Sequence, residues 1–190
     1  MQKKYPILFL TNNENSRDLF LWLKEKNEEV YLINEKITSE IVQAYSPKVM
    51  ISFNYKYMIP KDIIDMMQGQ IFNLHISLLP YNRGASPNFF SFIENTPKGV
   101  TIHQIDEGLD TGPILAQKRI IFDESKETFA SSYEKLILEI QMLFKENWSS
   151  ISDKNYQLYA QTRGGGGRSI PPMILSEYMS VFRSPGMTIF

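Results

Sequence analysis

The sequence predicts an α/β protein with a mainly parallel, twisted sheet and helices on both of its faces. Two observations lead to this class. Short apolar segments alternate with amphipathic ones along the chain, as happens when parallel strands are covered by helices. The chain has 190 residues, of which 43% are hydrophobic and 22% charged, a composition that suits one globular domain with a sizeable core.

The apolar segments predict six strands, near residues 6–11, 30–34, 48–53, 70–75, 99–105 and 114–121. The amphipathic stretches between them predict four helices, near residues 16–27, 38–45, 61–68 and 87–95. Ser16 is the expected cap of the first helix, because serine accepts hydrogen bonds from free amides at helix starts. The last two strands leave no room for a helix between them, so they predict an antiparallel or irregular edge.

The longest predicted helix runs from about Thr128 to Ser149. Its apolar side chains recur at helical spacing, at Phe129, Tyr133, Leu136, Ile137, Ile140, Leu143, Phe144 and Trp148. Such a stripe is typical of a helix that packs on a sheet, so core packing is predicted. The alternative is that its aromatic members line a ligand pocket, which is the less common use of such a stripe.

Composition excludes several classes of protein. The net charge of −1 argues against nucleic-acid binding, because neutralising phosphates needs clustered Lys and Arg. The lack of cysteine excludes disulfides, thiolate metal sites and a cysteine nucleophile, and no other spacing predicts a metal site. The first apolar run, Ile7 to Leu10 with Thr11, is too short for a signal-peptide core or a membrane span. A cytoplasmic protein without membrane association is therefore expected.

The composition changes near residue 160, which predicts a catalytic domain at 1–160 followed by a linker and tail at 161–190. Four consecutive glycines lie between Arg163 and Arg168. They predict a mobile linker, because each glycine loses much backbone freedom on ordering. A phosphate-gripping loop flanked by two guanidinium groups is the alternative. The apolar tail, residues 173–190, is a candidate for docking on its own domain or on a second subunit in a homodimer.

Asn73 and His75 lie two residues apart at the end of an apolar run, so in a strand both point to one face. An acidic loop, residues 106–112, follows and carries Asp110 between Gly108 and Gly112, which are expected to allow unusual backbone angles. An amide donor, an imidazole and a carboxylate suit an acyl-transfer site. There, donors stabilise an oxyanion, and the carboxylate holds the imidazole protonated or relays a proton. Taken alone, each residue is more often a satisfied polar group in a turn.

Three blocks of sequence carry a resemblance to a known family: Asn73-Leu-His-Ile-Ser-Leu-Leu-Pro-Tyr-Asn-Arg-Gly84, Gly99-Val-Thr-Ile-His103 and Asp106-Glu-Gly-Leu-Asp-Thr-Gly-Pro-Ile-Leu-Ala-Gln117. Over about residues 48–121 they closely resemble the 10-formyltetrahydrofolate-dependent formyltransferases. The resemblance implies a Rossmann-like formyltransferase fold whose N-terminal half is shortened by about one helix and strand. It also implies 10-formyltetrahydrofolate as co-substrate, no metal, and a catalytic triad of Asn73, His75 and Asp110.

The resemblance further implies binding residues. Those expected to contact the folate donor are Phe53, Tyr55, Tyr57, Met58, Ile59, Asp106, Glu107, Gly108 and Leu109, and the loop 106–112 is expected to line the folate pocket largely through backbone groups. Those expected on the amine-substrate side are Ser77, Leu78, Pro80, Arg83 and Gly84. Arg83 is expected to orient either the loop or an anionic substrate, and the alternative is an ordinary surface arginine. His103 is expected to be a packed, hydrogen-bonded histidine.

Within the family, the stretch Ile51–Ile59 resembles the sugar N-formyltransferases most. The glycinamide ribonucleotide enzymes carry a glycine- and serine-rich phosphate loop after the first strand, where this chain has a glutamate and no glycine between Thr11 and Ser16. The C-terminal barrel and basic surface of methionyl-tRNA formyltransferases have no counterpart in the sequence. A partner transfer RNA is therefore disfavoured.

The function expected from the resemblance is transfer of a formyl group from 10-formyltetrahydrofolate to the primary amine of a nucleotide-linked amino sugar. Three alternatives stay open. One is a phosphoribosylglycinamide formyltransferase, and the second is a formyltetrahydrofolate hydrolase, in which water replaces the amine as nucleophile. The third is a catalytically silent module that binds folate or nucleotide.

Overall fold

The computed structural model describes residues 6–26 and 29–161 of the chain. In these residues six strands form one sheet: β1 (Ile7–Leu10), β2 (Val30–Ile33), β3 (Val49–Phe53), β4 (Ile71–His75), β5 (Gly99–Gln104) and β6 (Ile114–Arg119). Five α-helices accompany them: α1 (Arg17–Glu25), α2 (Ser39–Tyr45), α3 (Lys61–Met67), α4 (Pro87–Ile93) and α5 (Phe129–Ser152). The predicted segments therefore exist and have the predicted type.

The strands lie in the order β2-β1-β3-β4-β5-β6. The first four of these are mutually parallel, whereas β5 is antiparallel to β4, and β6 is antiparallel to β5. The mainly parallel sheet and its antiparallel edge are thus confirmed. Parallel neighbours need a crossover helix, and a short loop is enough to join antiparallel ones, as between β5 and β6.

Helices cover both faces of the sheet, as predicted. Alternate residues of β1 and β4 divide between two apolar cores, because successive side chains of a strand point to opposite faces. One core joins Phe9 and Phe72 to side chains of α1 and α5. The other joins Leu10 and Ile71 to side chains of α2 and α3. Asn73 and His75 alternate with Phe72, so they share the face of Ile71.

The starts of two helices are held by different chemistry. Ser16, the expected cap of α1, makes no side-chain cap bond, and its hydroxyl donates to the Phe53 carbonyl in the interior. That cap prediction is wrong because a buried carbonyl takes the hydroxyl instead. At α5, Thr128 and Ser131 form a reciprocal capping box, which satisfies two backbone groups that helix starts leave free.

None of the helices in the described residues combines the length and apolar character needed to cross a membrane.

Candidate active site

Three polar side chains meet on one face of β4 and β5. Asn73 and His103 are paired across the two antiparallel strands, and His75 is paired with Thr101 two residues further along. Directly opposed residues of antiparallel strands place their side chains on the same face. The Asn73 amide nitrogen is 3.3 Å from Nε2 of His103, and the two imidazole centres lie 6.2 Å apart. The sheet register therefore brings both histidines of the chain into one cluster.

The loop after β5 folds back and places Asp110 against this cluster. Its Oδ1 accepts a hydrogen bond from Asn73 Nδ2 at 3.1 Å, and its Oδ2 lies 3.6 Å from His75 Nδ1. The Gly84 amide donates to Oδ2 at 2.8 Å. The structure thus brings together Asn73, His75 and Asp110, the three residues expected to form the triad.

The glycines of the loop act differently from the sequence expectation. Asp110 itself adopts the left-handed backbone conformation, with φ of 52°, whereas Gly108 and Gly112 are not among the positive-φ residues. A Cβ at Gly112 would collide with the Gln104 carbonyl, and one at Gly108 would collide with the Thr111 side chain. The expectation of unusual angles at these two glycines is wrong; close packing of the loop is what requires the absence of a side chain.

The hydrogen bonds of His75 fix its orientation. Its Nε2 lies 3.2 Å from the carbonyl oxygen of Asn82, and a carbonyl only accepts, so Nε2 carries the hydrogen. Asn82 is buried and is held in turn by Thr96, which donates to its side-chain oxygen, and by Glu94, which accepts from its side-chain amide. In the neutral imidazole the lone pair is therefore on Nδ1, the atom that faces Asp110.

Burial and charge act in opposite directions on His75. Burial lowers its pKa, the negative charge of Asp110 partly opposes this, and the net pKa lies below the ordinary value of 6.5. The resting imidazole is consequently neutral at pH 7, rather than held protonated. For Asp110, burial by itself would raise the pKa. The charge that His75 carries when it is protonated, the hydrogen bond and charge of His103, and the Gly84 amide outweigh it and hold the Asp110 pKa well below its usual range.

His103 is buried and hydrogen-bonded, as predicted. Its Nδ1 is 2.7 Å from the Gln104 carbonyl oxygen, so this nitrogen donates. Its Nε2 also lies 3.3 Å from Asp110 Oδ1, and the ring lines the cavity described below. His103 is thus a member of the cluster. The sequence did not indicate this position, because the neighbours of His103 in the predicted strand are mostly apolar and suggested a packed histidine.

A cavity of about 1070 Å³ opens over the cluster, and Asn73, His75, His103 and Asp110 all line it. Its walls also include the segment after β3, the loop after β5, the start of α4 and the first turn of α5. Small-molecule sites commonly occupy roughly 300–1,000 Å³. The volume is thus sufficient for a small-molecule ligand beside the cluster.

Most of the residues expected to bind the folate donor line this cavity: Tyr55, Tyr57, Met58, Ile59, Asp106, Gly108 and Leu109. Two do not. Phe53 is completely buried in the core under α1 and α5, because its side chain points to the face of β3 that is turned away from the cavity. Glu107 is exposed and pairs with Lys61. The side chains of Phe53 and Glu107 therefore do not reach a ligand in the cavity.

Of the five residues expected on the substrate side, only Gly84 lines the cavity. Ser77 is buried and its hydroxyl donates to the Tyr81 carbonyl. Arg83 donates twice to the side chain of Gln161. Leu78 and Pro80 lie in the same turn, also outside the cavity lining. This segment shapes the turn that presents the Gly84 amide to Asp110, which agrees with the loop-orienting alternative for Arg83.

Two aromatic residues of the α5 stripe line the cavity, which is the less common alternative that the sequence left open for that stripe. The aromatic side chains of Phe129 and Tyr133, at the start of α5, line the cavity together with Phe89 of α4. Further along α5 the apolar stripe is buried in the core, as predicted. Helical spacing identified the stripe correctly, but it contains no signal for where the helix leaves the sheet and meets a cavity.

In residues 6–26 and 29–161 no group of three or more His, Asp or Glu side chains is placed to hold a metal ion. The polar groups that Asn73, His75, His103 and Asp110 present to the cavity are an amide donor, two imidazoles and a buried carboxylate. These groups can donate to a developing oxyanion and exchange a proton with a nucleophile, as acyl transfer requires.

Comparison with known proteins agrees with this chemistry. The sequence model of the formyl transferase family matches residues 5–143. The chain belongs to the formyl transferase family. The matched range contains β1 to β6, most of α5 and the three residues Asn73, His75 and Asp110. The enzyme's fold is accordingly the Rossmann-like formyltransferase fold.

Particular relatives are similar over most of the enzyme. The dTDP-4-amino-4,6-dideoxyglucose formyltransferase of Mycobacterium bovis is 32% identical over 164 residues, covering 79% of this chain and 68% of the relative. A methionyl-tRNA formyltransferase of Myxococcus xanthus is 40% identical over 99 residues, but only 31% of that protein is covered.

Among solved structures, the formyltransferase PseJ of Anoxybacillus kamchatkensis superposes with a TM-score of 0.84 at 34% identity. The match covers 95% of this chain and 93% of PseJ. That structure contains UDP-4,6-dideoxy-4-formamido-L-AltNAc and tetrahydrofolate.

Proposed function

We propose that the enzyme transfers a formyl group from 10-formyltetrahydrofolate to the 4-amino group of a nucleotide-linked 4-amino-4,6-dideoxyhexose. The observation that carries the proposal is the contact of Asn73, His75 and Asp110 in the lining of one large cavity. Two relatives support the acceptor class: the mycobacterial enzyme is named for a dTDP-linked 4-amino sugar, and PseJ was solved with a UDP-linked 4-formamido sugar.

The cavity also fits a folate donor. The segment after β3 contributes Tyr55 and Tyr57, whose rings pack edge to face with their centres 5.3 Å apart, and Met58, which is mostly exposed. These apolar groups suit the flat pterin and benzoyl rings. Among the described residues, the side-chain amide nitrogen of Asn54 is buried without a hydrogen-bond partner, and Asn54 lines the same cavity. A buried donor of this kind is costly unless a ligand supplies an acceptor, as a pterin does.

In the proposed reaction the uncharged amine attacks the formyl carbon, and a new C–N bond forms. Neutral His75 accepts the amine proton at Nδ1, because Nε2 already donates to the Asn82 carbonyl. The imidazolium that results faces the Asp110 carboxylate. Asp110 therefore stabilises the charge that develops on His75 during the reaction, and need not itself take the proton.

The formyl oxygen becomes an oxyanion in the same step. Asn73 Nδ2 carries two hydrogens. One is held by Asp110 Oδ1, and Nδ2 also lies 3.3 Å from His103 Nε2, a contact that the second hydrogen exchanges for the substrate oxygen in the proposed reaction. We assign the second to the oxyanion, for which one well-placed donor contributes roughly 3 kcal/mol of barrier lowering. Collapse then breaks the bond between the formyl carbon and N10 of the folate. The proton on His75 Nδ1 passes to N10, so tetrahydrofolate and the formamido sugar leave.

The test is incubation of the purified protein with formyl-labelled 10-formyltetrahydrofolate and a panel of dTDP- and UDP-linked 4-amino and 3-amino sugars. We expect tetrahydrofolate to be released in step with a labelled formamido sugar for at least one 4-amino member. Turnover confined to 3-amino sugars would reject the proposed amine position. Folate release without a formylated sugar would identify a hydrolase.

The phosphoribosylglycinamide alternative is tested in the same assay by adding glycinamide ribonucleotide. The loop from Thr11 to Ser16 speaks against it. This loop contains no glycine, and its side chains bond to other parts of the protein; for example, the Lys56 amide donates to the side-chain oxygen of Asn12. A silent binding module would bind folate and sugar without turnover. The cytoplasmic location stays a prediction. Docking of the tail on its own domain or on a second subunit of a homodimer stays open, as does the role of residues 162–190, which lie outside the described residues.

A further inference from the structure

Gln161 makes an unusually complete set of hydrogen bonds beside the loop of residues 106–112, called the catalytic loop below. Its amide nitrogen donates to the backbone carbonyls of Asp110 at 2.9 Å and Gly112 at 2.8 Å. Its amide oxygen accepts from Nε and Nη2 of Arg83 at 3.2 and 2.6 Å. Both donor hydrogens and both lone pairs of the side chain are therefore used. A side chain satisfied in this way is held in one conformation.

The partners of Gln161 are the two segments that place the Asp110 carboxylate. One is the loop itself, where Asp110 has a left-handed backbone that costs about 1 kcal/mol or more for a residue with a side chain. The other is the Arg83–Gly84 turn, whose Gly84 amide donates to Oδ2 of Asp110. Gln161 joins these segments from outside the cavity, since it is not among the lining residues.

The backbone before Gln161 is also fixed. Tyr159 forms an antiparallel bridge with Ile114, with a hydrogen bond of 2.8 Å in each direction. Ile114 begins β6, directly after the catalytic loop. The segment from Tyr159 to Gln161 thus runs along the loop, although Gln161 lies 18 residues beyond the end of the family match at residue 143 and was expected to begin the linker.

We propose that Gln161 is a positioning residue for the formyl transfer, which acts by holding the Asp110 loop and the Arg83–Gly84 turn in the geometry that sets Asp110 against His75. The proposal rests on the proposed function for its kinetic consequence only. Displacing Asp110 by about 1 Å is expected to lower kcat by about 10- to 100-fold. The KM values for the two substrates are expected to change far less, because Gln161 does not line the cavity.

The position of Asp110 also has a consequence that needs no substrate. The titratable groups that face His75 are Asp110, whose charge raises the His75 pKa, and His103, whose charge lowers it. Moving the Asp110 carboxylate away therefore shifts the protonation midpoint of His75 to lower pH. The chain has only two histidines, so NMR of the imidazole Cε1–H signals follows both in untagged protein. The signal of His75 is assigned with His103→Gln.

The experiment compares Gln161→Ala, Gln161→Glu and Gln157→Ala with the wild type, by NMR titration of His75 and by steady-state kinetics. Gln161→Glu keeps the acceptor for Arg83 but lacks both donors to the loop, so it decides the question even where Gln161→Ala does not fold. Gln157 is a matched control: it lies in the same segment, is exposed, and contacts only the Tyr159 hydroxyl in the described structure.

We expect both Gln161 variants to lower the His75 midpoint and kcat, and Gln157→Ala to leave both unchanged. The proposal is overturned if the folded Gln161 variants keep the wild-type midpoint and kcat. It is equally overturned if they only melt at lower temperature, or if Gln157→Ala has the same effect. Should the wild type turn over no amino sugar, the proposed function fails, while the His75 midpoint still decides the positioning role.

Discussion

Replacing Asp110 with Asn removes the negative charge beside His75 and nearly preserves the shape of the side chain. The carboxylate lies 3.6 Å from His75 Nδ1. At an effective dielectric constant of about 20, opposite unit charges at this separation attract by about 5 kcal/mol. The attraction stabilises the imidazolium that forms as His75 takes the amine proton. Since about 1.4 kcal/mol corresponds to a factor of ten, kcat is expected to fall roughly a thousandfold.

The substitution also disturbs the hydrogen bonds of the loop. The carboxylate accepts from Asn73 on one oxygen and from Gly84 on the other. An asparagine has only one acceptor oxygen, so its NH₂ group must face one of these donors. This effect adds to the loss of charge, and the thousandfold decrease is therefore a lower bound on the expected loss.

The assay is the rate of labelled formamido-sugar production at saturating donor and acceptor. Glu107→Gln is the matched control, because it removes an acidic charge from the same loop at a side chain that is exposed and outside the cavity. We expect Glu107→Gln to stay within about twofold of the wild type, since exposed ion pairs contribute little. A decrease of less than tenfold for folded Asp110→Asn would refute the charge-stabilising role of Asp110.

Three further predictions follow from the same geometry. Asn73→Ala removes the donor assigned to the oxyanion and should lower kcat by about 10²- to 10³-fold, while KM for the donor changes little; an unchanged kcat would exclude Asn73 from the oxyanion site. In the wild type the NMR midpoint of His75 should lie below its ordinary value of 6.5, because burial lowers the pKa; a midpoint above this value would contradict the neutral resting imidazole. Thr128→Ala removes the cap of the 24-residue helix α5 and should reduce the free energy of unfolding by about 1 kcal/mol in urea titrations, whereas the exposed substitution Ser125→Ala should leave it almost unchanged.

The sequence was sufficient where the physics is local. Alternation of apolar and amphipathic segments predicted the six strands and the five α-helices of the described residues. Side-chain direction repeats every 2 residues in a strand and every 3.6 in a helix, so both patterns are visible among neighbouring residues. The same alternation placed Asn73 and His75 on one face of β4. The triad itself came from the family resemblance, since no local rule brings Asp110, 35 residues beyond His75 in the chain, into contact with it.

The sequence was insufficient where contacts depend on register and tertiary position. His103 reaches the cluster because it is paired with Asn73 across two antiparallel strands, and a single sequence does not specify that register. Gln161 contacts Asp110 across 51 residues. Phe129 and Tyr133 belong to a regular apolar stripe, and only the position of α5 relative to the sheet separates cavity lining from core.

The central claim is that the Asn73–His75–Asp110 site moves a formyl group onto the amine of a nucleotide-linked sugar. The most direct measurement is mass spectrometry of a dTDP- or UDP-linked 4-amino-4,6-dideoxyhexose after incubation with formyl-labelled donor, using wild type and His75→Gln. The account predicts one labelled formyl group on the sugar amine with the wild type and a rate lower by at least a hundredfold, roughly the contribution of a general base, with the variant. An unmodified sugar across the panel, or equal rates for the two proteins, would contradict it.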